Sequence, residues 1–420
     1  MMAVMPTKIV FPGAEKKIKL VLPTRKETSP ESRTVEGWEI RPGIVYTALR
    51  NLHTRMSYAL TGEPLGPSYV TATTAEAYHK RLMGLIGRLE AKQGHGLALL
   101  DFFGQAVPLP GHGADPAERD QTATYATTGT PADVRVVIGA AVSGNKALMA
   151  WHERSGNGVG SVGYVEFEPS LIAQVDEVAI PPELLLGHEL VHAARFLAGT
   201  AQPRGSAPVK RTVPVLRDST GVVFHDSDYE EILTHGNLLA LAWAERLEGE
   251  GAKAFIRPTE AHLRSDELAR AHVESLPPGD PALAAALATY RARRRLVAVS
   301  EVTLARELGF VTRPAYTPLR ESNAVYGTLQ VERDKVPDSA FQRQHGQGLP
   351  PELASKVTWG SAPGASDVVA NVGDDDRKRA EELDAGVRAA GDTLVMAFPE
   401  EPEPRPGGRK PAALALTRGA

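Results

Sequence analysis

The 420-residue chain contains no cysteine. Disulfides, thiolate nucleophiles and thiolate metal sites are therefore excluded, and any metal it binds must be held by His, Asp or Glu. Nor is there an excess of positive charge. Forty-seven Lys and Arg stand against 51 Asp and Glu, with no basic stripe able to neutralise a row of phosphates, which argues against nucleic acid as a partner. No run approaches the roughly 18 uninterrupted apolar residues that a membrane span requires. The opening segment MMAVMPTKIVFPGAEKKIKL is interrupted by Pro6, Lys8, Pro12 and Glu15. It lacks the continuous apolar stretch and cleavage site of a signal peptide, so synthesis in the cytoplasm without a cleavable signal is expected. No internal repeat is visible.

What the chain does have is an apolar share of 42%, ordinary for a folded protein. Residues 1–43, rich in Lys, Thr, Pro and Glu, read as a flexible arm, and residues 346–420, rich in Pro, Gly and charge, as a C-terminal tail. A central domain is expected over 44–345. Within it a helical pattern runs from about Val45 to Leu60, and a second helix covers TTAEAYHKRLMGLIGRLEAK. LALLDFF and DVRVVIGA read as strands. The run YVEFEP, behind the glycine-rich SGNGVGSVG, reads as an edge strand ending at Pro169. Pro181 and Pro182 open a helix that closes at Gly199. VPVLR and VVFH flank the turn-forming DSTG as a hairpin, and a helix follows from Asp228. Further helices are expected over 258–275, 280–297 and 300–308, with the run from Arg291 to Arg295 as a solvated face.

The chemistry lies in His188-Glu189-Leu190-Val191-His192. Two imidazoles at i and i+4 share one helical face and can reach one metal ion. Glu189, turned about 100° further around the helix, can reach a water at the metal instead of the metal itself. Zinc hydrolysis needs this arrangement: the ion makes water acidic and polarises a carbonyl, and the carboxylate moves the proton. The flanking Leu184, Leu185, Leu186, Leu190 and Val191 would make three ionisable groups costly to bury unless they were bound to something. A third ligand is required. No third His follows His192 in AARFLAGTAQ, which leaves Glu230, Glu231, His225 and His235 as candidates, and spacing does not choose among them.

HELVHAARFLAGT followed by YEEILTHG resembles the NleD-like effector metallopeptidases and, more distantly, the clostridial neurotoxin light chains, whose pattern is HELxH, a Gly about seven residues later, then EExxTxG. Gly199, Glu230, Glu231, Thr234 and Gly236 match it. The resemblance implies Glu231 as the third zinc ligand, beside His188 and His192, and Glu230 as a neighbouring structural carboxylate. It also implies an Arg-x-x-Tyr pair near the tetrahedral intermediate, which Arg313 and Tyr316 fit, with Arg320 and Tyr326 as competitors. His235, before Gly236, departs from the pattern and lies four residues from Glu231. The glycine-rich turn and strand GNGVGSVGYVEFEP resemble a family element that could pair with extended substrate.

The expected fold is α+β, a zincin-like metallopeptidase domain with an HExxH helix, a small mixed sheet and flexible terminal tails. The expected function is a zinc-dependent endopeptidase with Glu189 as its base and a protein or peptide as its substrate. By resemblance it is a bacterial effector or toxin, a virulence protein carried by secretion machinery into a target cell by a non-classical route. Two alternatives stand beside it: a non-catalytic, zinc-stabilised partner-binding module, and a zinc hydrolase of small amides or cell-wall peptides.

Overall fold

The computed structural model describes residues 16–21, 34–50, 72–106, 109, 124–127, 130–141, 145–149, 152–169, 171–175, 178–201, 211–213, 222–224, 226–236, 260–310, 327–330 and 402–407. In chain order the strands are β1 (Lys16–Val21), β2 (Thr34–Arg41), β3 (Ile44–Arg50), β4 (Thr124–Thr127), β5 (Thr130–Asp133), β6 (Val136–Ala140), β7 (Lys146–Met149), β8 (Gly163–Phe167), β9 (Leu171–Val175), β10 (Val178–Ile180), β11 (Arg211–Val213), β12 (Val222–Phe224) and β13 (Gly327–Gln330). The helices are α1 (Ala72–Glu90), α2 (His95–Gln105), α3 (His152–Ser155), α4 (Pro182–Ala198), α5 (Asp226–His235), α6 (Glu260–Ser275), α7 (Leu283–Leu296) and α8 (Glu301–Leu308). Among the described residues no helix is long and apolar enough to cross a membrane.

Eight strands form one mixed sheet in the order β5-β4-β1-β2-β3-β6-β8-β7. The β3–β6 and β6–β8 pairs are parallel and the β7–β8 pair antiparallel. Alternation turns Ile44, Tyr46, Val136, Ile138, Val165 and Phe167 to one face, where they share a core with Leu186, Leu190 and Val191 of α4. The sheet is larger than expected, because strands β1 and β2 fall inside the stretch read as a loose arm.

Four other expectations are corrected. Val45, Tyr46 and Thr47 lie in strand β3, not in a helix, because β-branched and aromatic side chains suit a position paired on both sides. LALLDFF lies in α2, where Leu99, Leu100, Phe102 and Phe103 are buried at helical spacing. YVEFEP supplies β8, an interior strand already paired with β6 and β7, so it has no free edge to offer a substrate. In the expected solvated arginine run, Arg293 is 3% exposed.

Local sequence explains α4 well. Pro182 occupies its first turn, where no intrahelical N–H is needed, and Gly199 ends it in the left-handed region at φ 72°, its N–H returning to Arg195 and Phe196 carbonyls. Arg293 of α7 reaches the same end and donates to the carbonyls of Ala198 (3.1 Å), Gly158 (2.7 Å) and Val159 (2.9 Å). A cation there suits the negative end of the helix dipole. Helix α8 is fixed at both ends: Ser300 and Thr303 form a capping box at its start, and Glu307 near its end accepts from the first N–H groups of α2, including Gly96 at 3.4 Å. In the expected C-terminal tail, Glu403 makes a two-pronged pair with Arg291 at 2.7 and 2.8 Å, and Pro402 O accepts from Arg270 at 2.8 Å.

Close approach of α4 to the sheet depends on Gly163, the first residue of β8. A Cβ there would lie 2.8 Å from Ala193 Cβ and 3.1 Å from Ala193 Cα. Neither partner is a flexible side-chain end. Gly163→Ala is expected to destabilise the fold by about 1–3 kcal/mol, as overpacking of a dense core does. A denaturant midpoint equal to that of the wild type would contradict this account of the α4–β8 contact.

Candidate metal centre

Helix α4 presents His188 and His192 side by side, their rings 4.8 Å apart and nearly perpendicular. Both Nε2 atoms point to one place, 3.2 Å from each other. Helix α5, which follows the β11–β12 hairpin, brings Glu231 to the same place. Its Oε2 lies 3.1 Å from His188 Nε2 and 3.0 Å from His192 Nε2. These three groups form a set able to hold a metal ion. A tetrahedral ion with bonds of about 2.0–2.1 Å spaces its ligand atoms about 3.3 Å apart, so the donor triangle has the size zinc requires, and its imidazole and carboxylate donors are those zinc accepts. Glu189 is buried immediately beside the pair at 8% exposure.

The outer nitrogens are also engaged. His188 Nδ1 lies 2.7 Å from Oε2 of Glu301, the first residue of α8. His192 Nδ1 lies 3.1 Å from Thr234 Oγ1 and 3.4 Å from Glu230 Oε1. A metal-bound imidazole carries its proton on the outer nitrogen, and such partners hold the ring and strengthen it as a ligand. His235 Nε2 is 3.8 Å from Glu301 Oε1, on the carboxylate that faces His188, and is not in the donor triangle.

Glu230 and Glu231 are adjacent, yet their surroundings differ. Glu230 is held by Arg195, with Nε to Oε1 at 2.8 Å and Nη2 to Oε2 at 2.9 Å. Burial alone would raise its pKa, but the Arg195 guanidinium, with its charge and hydrogen bonds, lowers it to about 2. For Glu231, burial is likewise overcome by the two histidines, which hold it well below the usual carboxylate range. Burial works to lower both imidazoles, but the carboxylates around them raise His188 and carry His192 up to about 10. Without a metal, the carboxylates around the two rings favour positive charge on them, a charge that a divalent cation can replace.

Of the residues singled out from sequence, His188, Glu189, His192, Glu230, Glu231, Thr234 and His235 all meet here. His225, Arg313, Tyr316, Arg320 and Tyr326 lie outside the described residues. Glu301, Arg195 and His262 join the site without a signal in the sequence motif. Ser300-x-x-Thr303 marks a helix start, but nothing near it indicates that Glu301 reaches His188, 113 positions earlier in the chain.

No protein-family model matches the chain, and no curated protein matches it in sequence. Solved structures do match in fold. The Clostridium botulinum neurotoxin serotype F light chain aligns at a TM-score of 0.57 and 15% identity, over 84% of this chain and 99% of that one. The catalytic domain of C. botulinum neurotoxin serotype F aligns at 0.55 with the same identity and coverage. The botulinum neurotoxin serotype HA light chain aligns at 0.54 and 15% identity, over 84% and 94%. A structural match at identity this low establishes the architecture alone and leaves activity to be argued from the site. The chain has the fold of the botulinum neurotoxin light chains.

Proposed function

We propose that the protein is a zinc-dependent endopeptidase that hydrolyses peptide bonds of a protein substrate. His188, His192 and Glu231 hold the metal, Glu189 is the general base, and Arg313 and Tyr316 assist at the developing oxyanion. One observation carries the reading: two imidazole nitrogens and one carboxylate oxygen converge within 3.0–3.2 Å of one another, with Glu189 buried next to them. Among the described residues three donors converge and leave a fourth position open, as catalytic zinc sites do and structural ones do not. That favours hydrolysis over a purely zinc-stabilised binding module. When bound, zinc supplies Lewis acidity to the scissile carbonyl and makes water acidic near neutral pH. Glu189 accepts the proton of the attacking water and passes it to the leaving amine. Glu301, Thr234 and Glu230 hold the two imidazoles in the tautomer that leaves Nε2 free for the ion.

Arg313 lies twelve residues beyond Glu301, and its positive charge and the Tyr316 hydroxyl suit the oxyanion that forms when water attacks a carbonyl. Strand addition, expected at β8, needs a strand at the end of the order, and β7, the neighbour of β8, is one of the two such strands of this sheet among the described residues. The likeness to neurotoxin light chains supports a protein substrate over a small amide, and delivery as a bacterial effector or toxin belongs to this proposal as well. The test is a cleavage assay. Protein loaded with one equivalent of zinc is expected to cut members of a folded-protein mixture at defined sites, detected by newly formed N-termini. Chelation should abolish cutting and added zinc restore it. Cleavage unaffected by chelation, or no new N-termini from proteins or peptides, would refute the proposal.

A further inference from the structure

The side chains behind His192 form a line that ends well away from the metal position. His192 Nδ1 meets Thr234 Oγ1 at 3.1 Å, and Thr234 Oγ1 in turn lies 3.4 Å from Glu230 Oε1, which also faces His192 Nδ1 directly at 3.4 Å. With the imidazole proton on Nδ1, Thr234 accepts from His192 and donates to Glu230. Both oxygens of Glu230 are then fixed by Arg195, whose Nη2 also donates to Thr200 O at 2.9 Å and whose Nη1 lies 3.3 Å from His262 Nε2 on α6. Arg195 is 4% exposed and His262 4%. Arg195 lies three residues beyond His192 on α4, and Thr234 four residues beyond Glu230 on α5, so one guanidinium closes a loop of contacts across the two metal-binding helices.

Taking the site as a zinc centre, we infer that Arg195 is a positioning residue for His192, acting through Glu230 and Thr234, with His262 holding the far side of the guanidinium. Two observations separate this role from that of an ordinary ion pair. The geometry is forked, which fixes the carboxylate plane as well as its distance. The carboxylate it fixes is also the one that does not join the donor triangle. Arg195 occupies both oxygens of Glu230, so Glu231 alone of the adjacent pair is free to face the two Nε2 atoms. The guanidinium thus orients one ligand and keeps a competing carboxylate out of the coordination sphere.

The experiment uses the full-length chain and reads the metal directly. Zinc affinity is measured by competition with a chelating dye, and ligand geometry by the visible absorption of the Co2+-substituted protein. Arg195→Met keeps an apolar stem of similar length and is expected to weaken zinc binding about 10–100-fold, the usual cost of losing such a supporting contact, and to alter the Co2+ spectrum. Arg195→Lys keeps the charge but not the fork and should recover part of the affinity. If burial of an unpaired Glu230 carboxylate unfolds Arg195→Met, the double variant Arg195→Met/Glu230→Gln removes that charge and should fold. It should still bind zinc weakly, because Thr234 has lost its fixed acceptor. Wild-type zinc affinity with an unchanged Co2+ spectrum in any folded variant lacking Arg195 would overturn the inference, whatever happens to the melting temperature. Failure of the wild type to bind zinc at all would instead overturn the zinc reading on which this inference rests.

Discussion

Glu189→Gln is expected to lower the hydrolytic rate by about 10²–10⁴-fold, the range that a positioned general base contributes. The amide has nearly the same shape and still accepts a hydrogen bond through its oxygen, but it cannot take a proton from water at neutral pH. Zinc content should stay at one equivalent, because Glu189 is not among the three groups that converge on the metal position. Melting temperature should change little, since the amide fills the same space as the carboxylate. The combination of lost turnover and retained zinc is what distinguishes a base from a ligand. If the variant lost zinc along with activity, Glu189 would have to be reassigned to the coordination sphere. If it kept full activity, the general-base mechanism would fail.

The second large effect is in the pH dependence of the metal-free protein, and its sign follows from the shifts around the site. His192 is raised to about 10, so its contribution to stability is fully present below the ordinary imidazole value of 6.5 and is lost as pH rises through about 10, and His188, also raised, loses its contribution in the same direction. Buried His262 is shifted the other way. Desolvation first, then the Arg195 charge, lowers it to about 3, so its contribution is present above 6.5 and is lost as pH falls toward 3. Glu230, lowered to about 2, adds a further loss below the ordinary carboxylate range.

Metal-free protein is therefore expected to be most stable near pH 6.5 and to melt several degrees lower by pH 9. Zinc reverses the alkaline limb. It requires both Nε2 atoms unprotonated and so competes with protons for them. The rise in melting temperature produced by zinc should accordingly be small at pH 5 and grow steadily toward pH 9. Paired thermal melts across this range, with chelator and with zinc, measure both limbs. A zinc increment independent of pH would mean that the two histidines are not the metal ligands.

Sequence alone determined the parts of this protein that depend on local periodicity. The 3.6-residue repeat places His188 and His192 on one face, proline and glycine punctuate α4 at Pro182 and Gly199, and both are consequences of neighbours in the chain. The helices starting near Glu260, Leu283 and Glu301 were legible for the same reason. Short apolar runs were not. LALLDFF carries no period long enough to separate a buried helix from a buried strand, and Val45 begins a run whose strand state depends on a partner 92 positions away in β6, Val137.

Tertiary structure decided the rest. Adjacent Glu230 and Glu231 differ by only one helical step, and the choice between them is made by Arg195 reaching across from α4. Strand β8 is interior because β7, earlier in the chain, closes over its far side. Glu301 reaches His188 because α8 is anchored at both ends against α2 and its own cap. Such contacts join residues tens to more than a hundred positions apart, and a single sequence leaves no local trace of them. It therefore reveals the motif that can hold zinc, while the folded chain shows which carboxylate lies against the two imidazoles and what holds each ring in place.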